Sequence, residues 1–299
     1  MSFNLITILG PTATGKTKLA ALLANEFDGE IISADSRQVY KGMDIGTGKD
    51  LSDYIVNGKQ IPYHLINIID PKEEFNLFLF KKYFNDVFRE IKEKNKLPFL
   101  VGGTGLYLSS ILQNYKLKVS NDNTDRFHEL EVKDIDELRE MLLGINSKPH
   151  NTTDLLDKER IIKAILVSEA AVPVAELEVN SHNIGIMPER EEIKRRITER
   201  LIFRLQHGMI EEVERLLKEG VTFEKLNFFG LEYKFVGLYL KGGLNYNDMF
   251  QKLNSAIHQF AKRQATWFRK MEREGVKINW IDSPDFEKAS IIIKETLGN

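Results

Sequence analysis

The chain of 299 residues carries 42 lysines and arginines, 44 aspartates and glutamates and no cysteine, for a net charge of −2. The lack of cysteine excludes disulfides, thiolate metal sites and thiol catalysis, and no apolar run approaches the ~18 residues that suggest a membrane span. The charge gives no global reason for nucleic-acid binding, so an RNA partner would need a local basic patch, and the absence of a secretory signal favours a cytoplasmic protein.

Short apolar runs alternate with helical patterns along the first part of the chain. The runs predicted as strands are Leu5 to Leu9, Glu30 to Ala34, Leu65 to Ile69 and Pro98 to Val101, with two later runs, Ile184 to Met187 and Ile278 to Ile281, predicted to join the same sheet. This alternation predicts an α/β fold with a parallel sheet core flanked by helices. Ligands of such sheets collect outside the carboxyl ends of the strands.

A phosphate-binding loop follows the first predicted strand. Its residues, which match G-x-x-x-x-G-K-[ST], are Gly10, Pro11, Thr12, Ala13, Thr14, Gly15, Lys16 and Thr17. The backbone N–H groups of such a loop converge on phosphate oxygens, Lys16 would add a positive charge, and Thr17 would offer a hydroxyl to Mg²⁺. The sequence therefore predicts a diphosphate site and leaves open which diphosphate compound it binds.

The acidic residue that P-loop ATPases need after a hydrophobic strand is absent where Pro98 to Val101 runs into Gly102, Gly103 and Thr104. ATP hydrolysis is therefore not favoured. An acid instead follows the second predicted strand, as Asp35, which we expect to face the P-loop. A carboxylate there could orient or deprotonate a nucleophile; the alternative is that Asp35 caps the turn that follows it.

The pattern changes between Lys118 and about Val179. Residues 120 to 140 hold eight carboxylates against three basic residues, which indicates a solvated acidic face and a poor surface for RNA. We interpret this segment as a smaller, mostly helical insertion. The predicted domains are a P-loop catalytic core of residues 1–117 and 183–299 and a helical insertion of residues 118–182.

Two amphipathic segments follow the insertion. Apolar residues recur near a 3.6-residue period from Glu189 to Glu219, which predicts one helix or a pair broken at Gly208. In the predicted helix His258 to Arg273, one face is basic and another, with Phe260, Gln264, Trp267 and Met271, is mostly apolar. Residues 262 to 277 hold six basic and two acidic side chains, a local charge of +4 that fits contact with RNA phosphates; the alternative is an exposed helix with routine charges.

Five segments resemble motifs of the tRNA dimethylallyltransferase family, in family order and over nearly the whole chain. They are residues 10–17, 33–49 (SADSRQVYKGMDIGTGK), 64–71 (HLINIIDP), 100–107 (LVGGTGLY) and 261–269 (AKRQATWFR). The resemblance implies a P-loop NTPase-like core. It also implies transfer of the dimethylallyl group from dimethylallyl diphosphate to N6 of the adenosine beside the tRNA anticodon, with Mg²⁺ and release of diphosphate.

The resemblance also implies roles for individual residues. Lys16 would neutralise the departing diphosphate, Thr12 would hydrogen-bond the leaving oxygen, and Asp35 would bind and deprotonate the N6 amine. The family extracts the target base from its loop, and Tyr40, Phe75 and Tyr107 are available to stack on it, although a lone aromatic side chain more often belongs to the core. We expect a monomer that binds the tRNA anticodon stem-loop through Asp35, Ser36, Arg37, Gln38, Thr104, Arg160, Lys163, Lys262 and Arg263.

The chain departs from the family pattern before Tyr233 and Lys234, where Phe229 stands at a usually polar position. The cation that this position would supply to the diphosphate is then either missing or supplied by another residue, for which Lys234 and Arg263 are candidates. Three alternatives therefore stay open: a P-loop kinase of a small molecule, a prenyltransferase of free adenine nucleotides, and an inactive RNA-binding paralogue. The intact set of Thr12, Lys16, Thr17 and Asp35 argues against the last.

Overall fold

A computed structural model describes residues 3–115, 124–145, 157–169 and 177–298. The strands, in chain order, are β1 (Leu5–Leu9), β2 (Gly29–Ala34), β3 (Ile55–Val56), β4 (Lys59–Gln60), β5 (Tyr63–His64), β6 (Leu97–Gly102), β7 (Ser181–Ile186) and β8 (Asn279–Ile281). Six of them form one sheet in the order β5-β2-β6-β1-β7-β8, and every neighbouring pair is parallel. β3 and β4 form a separate antiparallel hairpin. The α/β fold class with a parallel sheet is therefore confirmed.

Helices connect the strands and continue beyond them. They are α1 (Lys16–Glu26), α2 (Leu77–Glu93), α3 (Gly105–Leu112), α4 (Thr124–Glu131), α5 (Ile135–Ile145), α6 (Lys158–Glu169), α7 (Arg190–Gln206), α8 (Met209–Lys218), α9 (Phe223–Phe229), α10 (Leu231–Leu240), α11 (Tyr246–Arg273) and α12 (Phe286–Leu297). The predicted break between α7 and α8 occurs at Gly208, whose φ of +97° is one that glycine adopts without strain.

The register of the central strands brings three chain segments to one edge of the sheet. Leu9 of β1 and Ala34 of β2 both lie opposite Gly102 of β6. The residues that follow these strand ends therefore meet: the P-loop after β1, Asp35 after β2, and Gly103 after β6. This edge is the carboxyl end of a parallel sheet, where ligands of such folds bind.

The core of the sheet is apolar on both faces, as expected for parallel strands covered by helices. Ile6, Ile8, Ile31, Phe99 and Val101 pack with buried residues of α1 and α12 into one cluster. α2 packs against β2, β6 and α3, while the long helix α11 contacts α3, α7 and α10. α11 therefore extends the sheet-and-helix core into a further helical layer.

One predicted strand is wrong. The run Leu65 to Ile69 does not form a strand; the strand lies at Tyr63–His64, and Ile69 only bridges Tyr40. Leu65 and Asn67 have positive φ angles of +62° and +55°, which no β-strand accommodates. The apolar side chains Leu65, Ile66 and Ile69 are buried all the same, so burial produced the strand-like pattern without the extended backbone.

The chain separates into two compact units. One comprises Met1–Gln113 with Val179–Asn299, and the other Asn114–Glu178. In the second unit, Leu130, Leu138, Leu142, Ile161, Ile162 and Ile165 form their own buried cluster. The division into a core and an insertion of residues 118–182 stays a prediction. In the described ranges, no helix combines the length and the hydrophobicity needed to cross a bilayer.

Candidate active site

A polar cavity lies at the carboxyl edge of the sheet, within the first unit. Its lining comes from the P-loop, from the residues after β2 and β6, and from α7 and α11. The lining residues are Thr12, Ala13, Thr14, Gly15, Lys16, Thr17, Ser33, Asp35, Gln38, Thr47, Gly48, Asp50, Asp53, Tyr54, Val101, Gly102, Gly103, Arg200, Phe260 and Gln264. The predicted diphosphate-binding loop and Asp35 therefore line one cavity.

The P-loop is shaped by bonds to its own residues. The Thr14 hydroxyl donates to the Pro11 carbonyl at 3.0 Å, and the Lys16 ammonium donates to the same carbonyl at 2.6 Å. α1 begins at Lys16, and Gly15, at φ +80°, precedes it. A side chain at Gly10 would collide with the Ile186 carbonyl of β7. The first turn of α1 thus presents its N–H groups at the cavity, where they attract anions.

Two half-buried cations share this part of the cavity. Burial, reinforced by the Arg200 guanidinium, lowers the pKa of the Lys16 ammonium to about 7, and the Asp35 carboxylate partly offsets that effect. Burial and the Arg204 charge lower the pKa of Arg200 to about 9. Arg200 also donates a short hydrogen bond to the Thr12 hydroxyl. An anionic ligand would stabilise two positive groups that lie close together and are shielded from water, because an opposite charge favours their charged forms.

Asp35 caps a turn and also faces the cavity. Its Oδ1 accepts a hydrogen bond from the Arg37 N–H at 2.8 Å, which is the turn-capping contact considered from the sequence. It also lines the cavity and lies near enough to Lys16 and Arg200 to act on the pKa values of both. The turn contact holds the carboxylate in place beside the phosphate-binding loop.

The residues after Asp35 fold back over the strand ends. The Ser36 N–H donates to the Thr104 hydroxyl at 3.2 Å, so these two predicted tRNA-binding residues lie together. Gln38 is buried, accepts from the Ser33 hydroxyl at 3.1 Å and donates to the Gly48 carbonyl at 3.2 Å. The Arg37 guanidinium lies over the Phe228 ring, 4.7 Å from its centroid. Ser36, Arg37, Gln38 and Thr104 are thus brought together next to Asp35.

α11 presents different side chains to the cavity and to solvent. Gln264 is buried, accepts from the Thr12 N–H at 2.9 Å and donates to the Gly103 carbonyl at 2.8 Å. Lys262 and Arg263, the predicted RNA contacts, are exposed. Phe260, which the sequence places on the mostly apolar face, is 38% exposed and lines the cavity.

Several other predicted residues lie elsewhere. Tyr40, Phe75 and Tyr107 are at most 5% exposed and pack in the core, which agrees with the core role favoured from the sequence over stacking on a base. Lys234 is exposed and does not line the cavity, and neither does Arg263; Arg200 is the extra cation there. The side chains of Arg160 and Lys163 lie outside the described residues, so their predicted contact with tRNA stays a prediction.

The sequence analysis did not identify Arg200, although the residue pattern of α7 contains a signal for it. Ile197, Leu201 and Leu205 form the apolar stripe of α7 and are all buried. Arg200 and Arg204 lie three residues after Ile197 and Leu201, at spacings that put them on the same side of a helix. A charged residue at a core-facing position needs a partner or a ligand. The burial of Arg204 at 6% exposure agrees with that logic.

The cavity contains oxygen donors suited to a hard cation. Thr17 follows Lys16, and the Ser33, Asp35 and Asp53 side chains line the same space. Within the described part of the chain, His, Asp and Glu side chains nowhere form a group of three that could hold a metal alone. Mg²⁺ commonly keeps several waters and takes one or two protein groups together with substrate phosphates. The residues present therefore fit an ion held by Thr17 and by the phosphates of a ligand.

The parallel sheet, the P-loop at its carboxyl edge and the half-buried cations facing that loop define the class of P-loop proteins. A family model described as IPP transferase matches residues 38–271, and one described as isopentenyl transferase matches residues 3–65. The chain belongs to the IPP transferase family.

Individual relatives agree with this assignment. A curated protein named tRNA dimethylallyltransferase 1 from Geotalea uraniireducens (strain Rf4) is 52% identical over 285 residues, which cover 94% of this chain and 93% of that protein. A crystal structure of the full-length tRNA isopentenylpyrophosphate transferase from Bacillus halodurans matches with a TM-score of 0.70 and 32% identity, covering 99% of this chain and 95% of that one. A eukaryotic dimethylallyltransferase acting on tRNA shares the fold, with a TM-score of 0.77 at 23% identity over 100% of this chain and 80% of that one.

Proposed function

We propose that this protein transfers the dimethylallyl group of dimethylallyl diphosphate to N6 of the adenosine next to the anticodon of a tRNA, and releases diphosphate. The observation that carries the proposal is the shared cavity: the P-loop with Lys16 forms one side, and Asp35 stands at the end of the neighbouring strand. A donor's phosphates and an acceptor's amine can therefore be bound within reach of each other. Family membership supports the same reaction.

The donor diphosphate would lie against the P-loop. Lys16, Arg200 and the N–H groups at the start of α1 supply positive charge where the leaving diphosphate gathers negative charge. The Thr12 hydroxyl, which accepts from Arg200, is left with its own proton to donate to the oxygen that leaves the allylic carbon. Mg²⁺, held by Thr17 and the phosphates, would neutralise further charge on the diphosphate.

The acceptor amine would lie beside Asp35. The carboxylate accepts a hydrogen bond from the N6 amine and holds its nitrogen in line with the allylic carbon. As the carbon–nitrogen bond forms, the bond between that carbon and the diphosphate oxygen breaks, and the N6 proton passes to the Asp35 carboxylate. Ser36, Arg37, Gln38 and Thr104 would contact the extruded nucleotide, because they surround Asp35.

The tRNA would be held mainly through its phosphates. Lys262 and Arg263 project from the exposed side of α11, immediately before Gln264, which binds the P-loop from the other side of the helix. Basic side chains at such a place position an RNA without reading its sequence. Arg160 and Lys163 are proposed as further contacts to the anticodon stem-loop. We also propose that the protein acts as a monomer and in the cytoplasm, where tRNA is its substrate.

The rival functions are not favoured. Relatives with matching length carry the name tRNA dimethylallyltransferase at 46% to 52% identity, which weakens the kinase and free-nucleotide alternatives. Lys16, Thr17 and Asp35 are all present in the cavity, which weakens the inactive paralogue.

The decisive test mixes purified protein, labelled dimethylallyl diphosphate, Mg²⁺ and unmodified tRNA, with AMP and ATP as competing acceptors. We expect label in the tRNA, at N6 of the adenosine beside the anticodon, and no label in AMP or ATP. Label in AMP in place of tRNA would identify a free-nucleotide prenyltransferase, and phosphoryl transfer from ATP would identify a kinase.

A further inference from the structure

The loop of residues 42–49 forms the side of the cavity around Gln38. Thr47 and Gly48 line the cavity, and the loop consists of turns between Gly42 and Lys49. The Gly48 carbonyl accepts the Gln38 amide at 3.2 Å, and Gln38 in turn accepts from the Ser33 hydroxyl. The orientation of Gln38 beside Asp35 therefore depends on where this loop holds the Gly48 carbonyl.

The buried carboxylate of Glu212, on α8, holds this loop. Its Oε2 accepts from the N–H groups of Asp44 at 2.7 Å and Ile45 at 2.8 Å. Its Oε1 accepts from the Gly46 N–H at 2.9 Å and from the Tyr233 hydroxyl at 2.7 Å. Three successive backbone N–H groups thus converge on one carboxylate, an anion-binding arrangement of the kind called a nest.

The chemistry of these contacts selects an ionised carboxylate. All four partners are donors, and only a carboxylate offers two oxygens that both accept two bonds. Burial, followed by the Glu212 charge, holds the pKa of the Tyr233 phenol well above its ordinary value, so the phenol stays a donor. Glu212 is 7% exposed, which shields these bonds from competing water.

Other contacts fix the same loop at its two ends. Arg215, one turn after Glu212 on α8, donates to the Gly42 carbonyl. The buried Lys49 ammonium donates to the Tyr40 carbonyl at 2.6 Å and to Asp44 Oδ1 at 2.7 Å. A side chain at Gly48, where φ is +65°, would overlap the Arg204 guanidinium of α7. Side chains outside the loop therefore help to shape it, and Glu212 binds its central residues.

We propose that Glu212 is a positioning residue for the acceptor half of the reaction: by binding the Asp44, Ile45 and Gly46 amides, it places the Gly48 carbonyl and through it Gln38 next to the acceptor nucleotide. The inference rests on the proposed function, since it assigns Gln38 to the acceptor. The P-loop makes its own internal bonds. Loss of the Glu212 contacts therefore weakens the RNA half of the reaction and leaves donor binding in place.

The test is Glu212→Gln, which keeps the size of the side chain but turns one of its acceptors into a donor that faces other donors. We expect kcat/KM for tRNA to fall about tenfold or more, as for loss of hydrogen bonds to a buried charge. The Kd of labelled dimethylallyl diphosphate, measured without RNA, is expected to stay within about twofold, since ΔΔG values at separate sites are nearly independent. Glu211→Gln, an exposed neighbour on α8, is the matched control and leaves both quantities unchanged.

Tyr233→Phe keeps the proposal testable if Glu212→Gln fails to fold. It removes one of the four hydrogen-bond donors to Glu212 and preserves the ring that packs against Phe229. We therefore expect kcat/KM for tRNA to fall less than in Glu212→Gln, and the Kd of dimethylallyl diphosphate to stay unchanged. The positioning role is overturned if either folded variant matches the parent in kcat/KM for tRNA, or if donor affinity falls in step with it. A parent protein that prenylates no tRNA would instead overturn the proposed function, and this inference with it.

Discussion

The cavity has two walls that are built in opposite ways. The phosphate wall, residues 12–17, is one unbroken segment whose shape comes from bonds to Pro11 a few residues away and from the start of α1. The acceptor wall comprises Asp35, Gln38, Thr47 and Gly48, and its loop depends on Glu212, whose bond to Asp44 joins residues 168 positions apart in the chain. Local bonds shape most of the first wall, although Arg200 and Gln264 also bind Thr12, and tertiary contacts hold the loop of the second.

This difference makes donor binding and acceptor use separable. A segment that closes its own hydrogen bonds tolerates distant changes, whereas a loop held by other helices moves when those helices change. Substitutions on the phosphate wall should therefore affect the donor, and substitutions that support the acceptor wall should affect the RNA. Five measurements test whether donor binding and acceptor use are separable in this way.

The largest effect is expected for Lys16→Met, on the phosphate wall. Removal of the ammonium leaves charge on the leaving diphosphate uncompensated, so kcat/KM for dimethylallyl diphosphate should fall about 10³-fold. Steady-state kinetics with saturating tRNA would measure it, and the affinity for tRNA alone should not change. Lys218→Met, on the exposed side of α8, serves as the control for loss of a lysine charge. A loss below about tenfold would remove Lys16 from the mechanism.

Asp35→Asn tests the acceptor wall. The amide oxygen still accepts from the Arg37 N–H, so the turn is kept while the carboxylate charge is lost. Prenyl transfer should drop about 10²-fold, the scale of a positioned acid or base, with the Kd of the donor preserved. Asp35→Ala removes the turn contact as well. If the Asn variant keeps nearly full turnover and the Ala variant does not, the role of Asp35 is to hold the turn and not to act on the amine.

Arg200→Lys probes the point where the two walls meet. Lysine keeps the positive charge but loses the planar fork that reaches the Thr12 hydroxyl, so we expect about a tenfold loss in kcat/KM for the donor. Single-turnover rates at saturating donor would separate the loss in binding from the loss in chemistry. Equal behaviour of the Lys variant and the parent would show that charge alone matters at this position.

The pH dependence of diphosphate binding tests the burial of Lys16. Its pKa of about 7 in the ligand-free protein means that Lys16 loses its proton as pH rises through 7, while the anion needs it protonated. Binding should therefore weaken with rising pH relative to Lys16→Met, by at most about tenfold per pH unit. It should also take up protons at pH ~8, which calorimetry in buffers of different ionisation enthalpy would detect. Equal proton uptake by parent and variant would contradict this assignment.

The smallest effect on turnover is expected for Lys262→Ala and Arg263→Ala, which leave both walls intact. Each should weaken tRNA affinity and reduce the slope of log K against log salt by about one. Filter binding at several salt concentrations would measure the slope, with Lys218→Ala as the control. An unchanged slope in both variants would place the RNA-binding surface elsewhere.

Much of the phosphate wall could be predicted from the sequence because its residues are consecutive. The spacing of Gly10, Gly15, Lys16 and Thr17 after an apolar run specifies a strand, a turn and a helix start, and the structure has all three. The parallel sheet followed from the same alternation. The strand predicted at Leu65 to Ile69 was wrong, because burial of apolar side chains does not require extended backbone.

The acceptor wall was predicted only in part. Asp35 and Gln38 were identified through their motif, yet nothing local to them indicates that Glu212 shapes the loop beside them. Arg200 could have been noticed as a charged residue on the buried side of α7. Its partner Thr12 could not, because it lies 188 residues earlier in the chain. Phe260 was assigned to an apolar face because a helix period tells which residues share a side and not whether that side meets protein or a cavity.

The amino-acid order alone was enough to predict the strand-loop-helix of the P-loop, the parallel α/β class and the family, because each depends on residues close together or on a pattern repeated along the chain. How Arg200, Gln264 and Glu212 complete the site depends on the folded arrangement. Their hydrogen bonds join segments that the chain separates by more than 150 residues, and such contacts exist only after the helices have packed against the sheet.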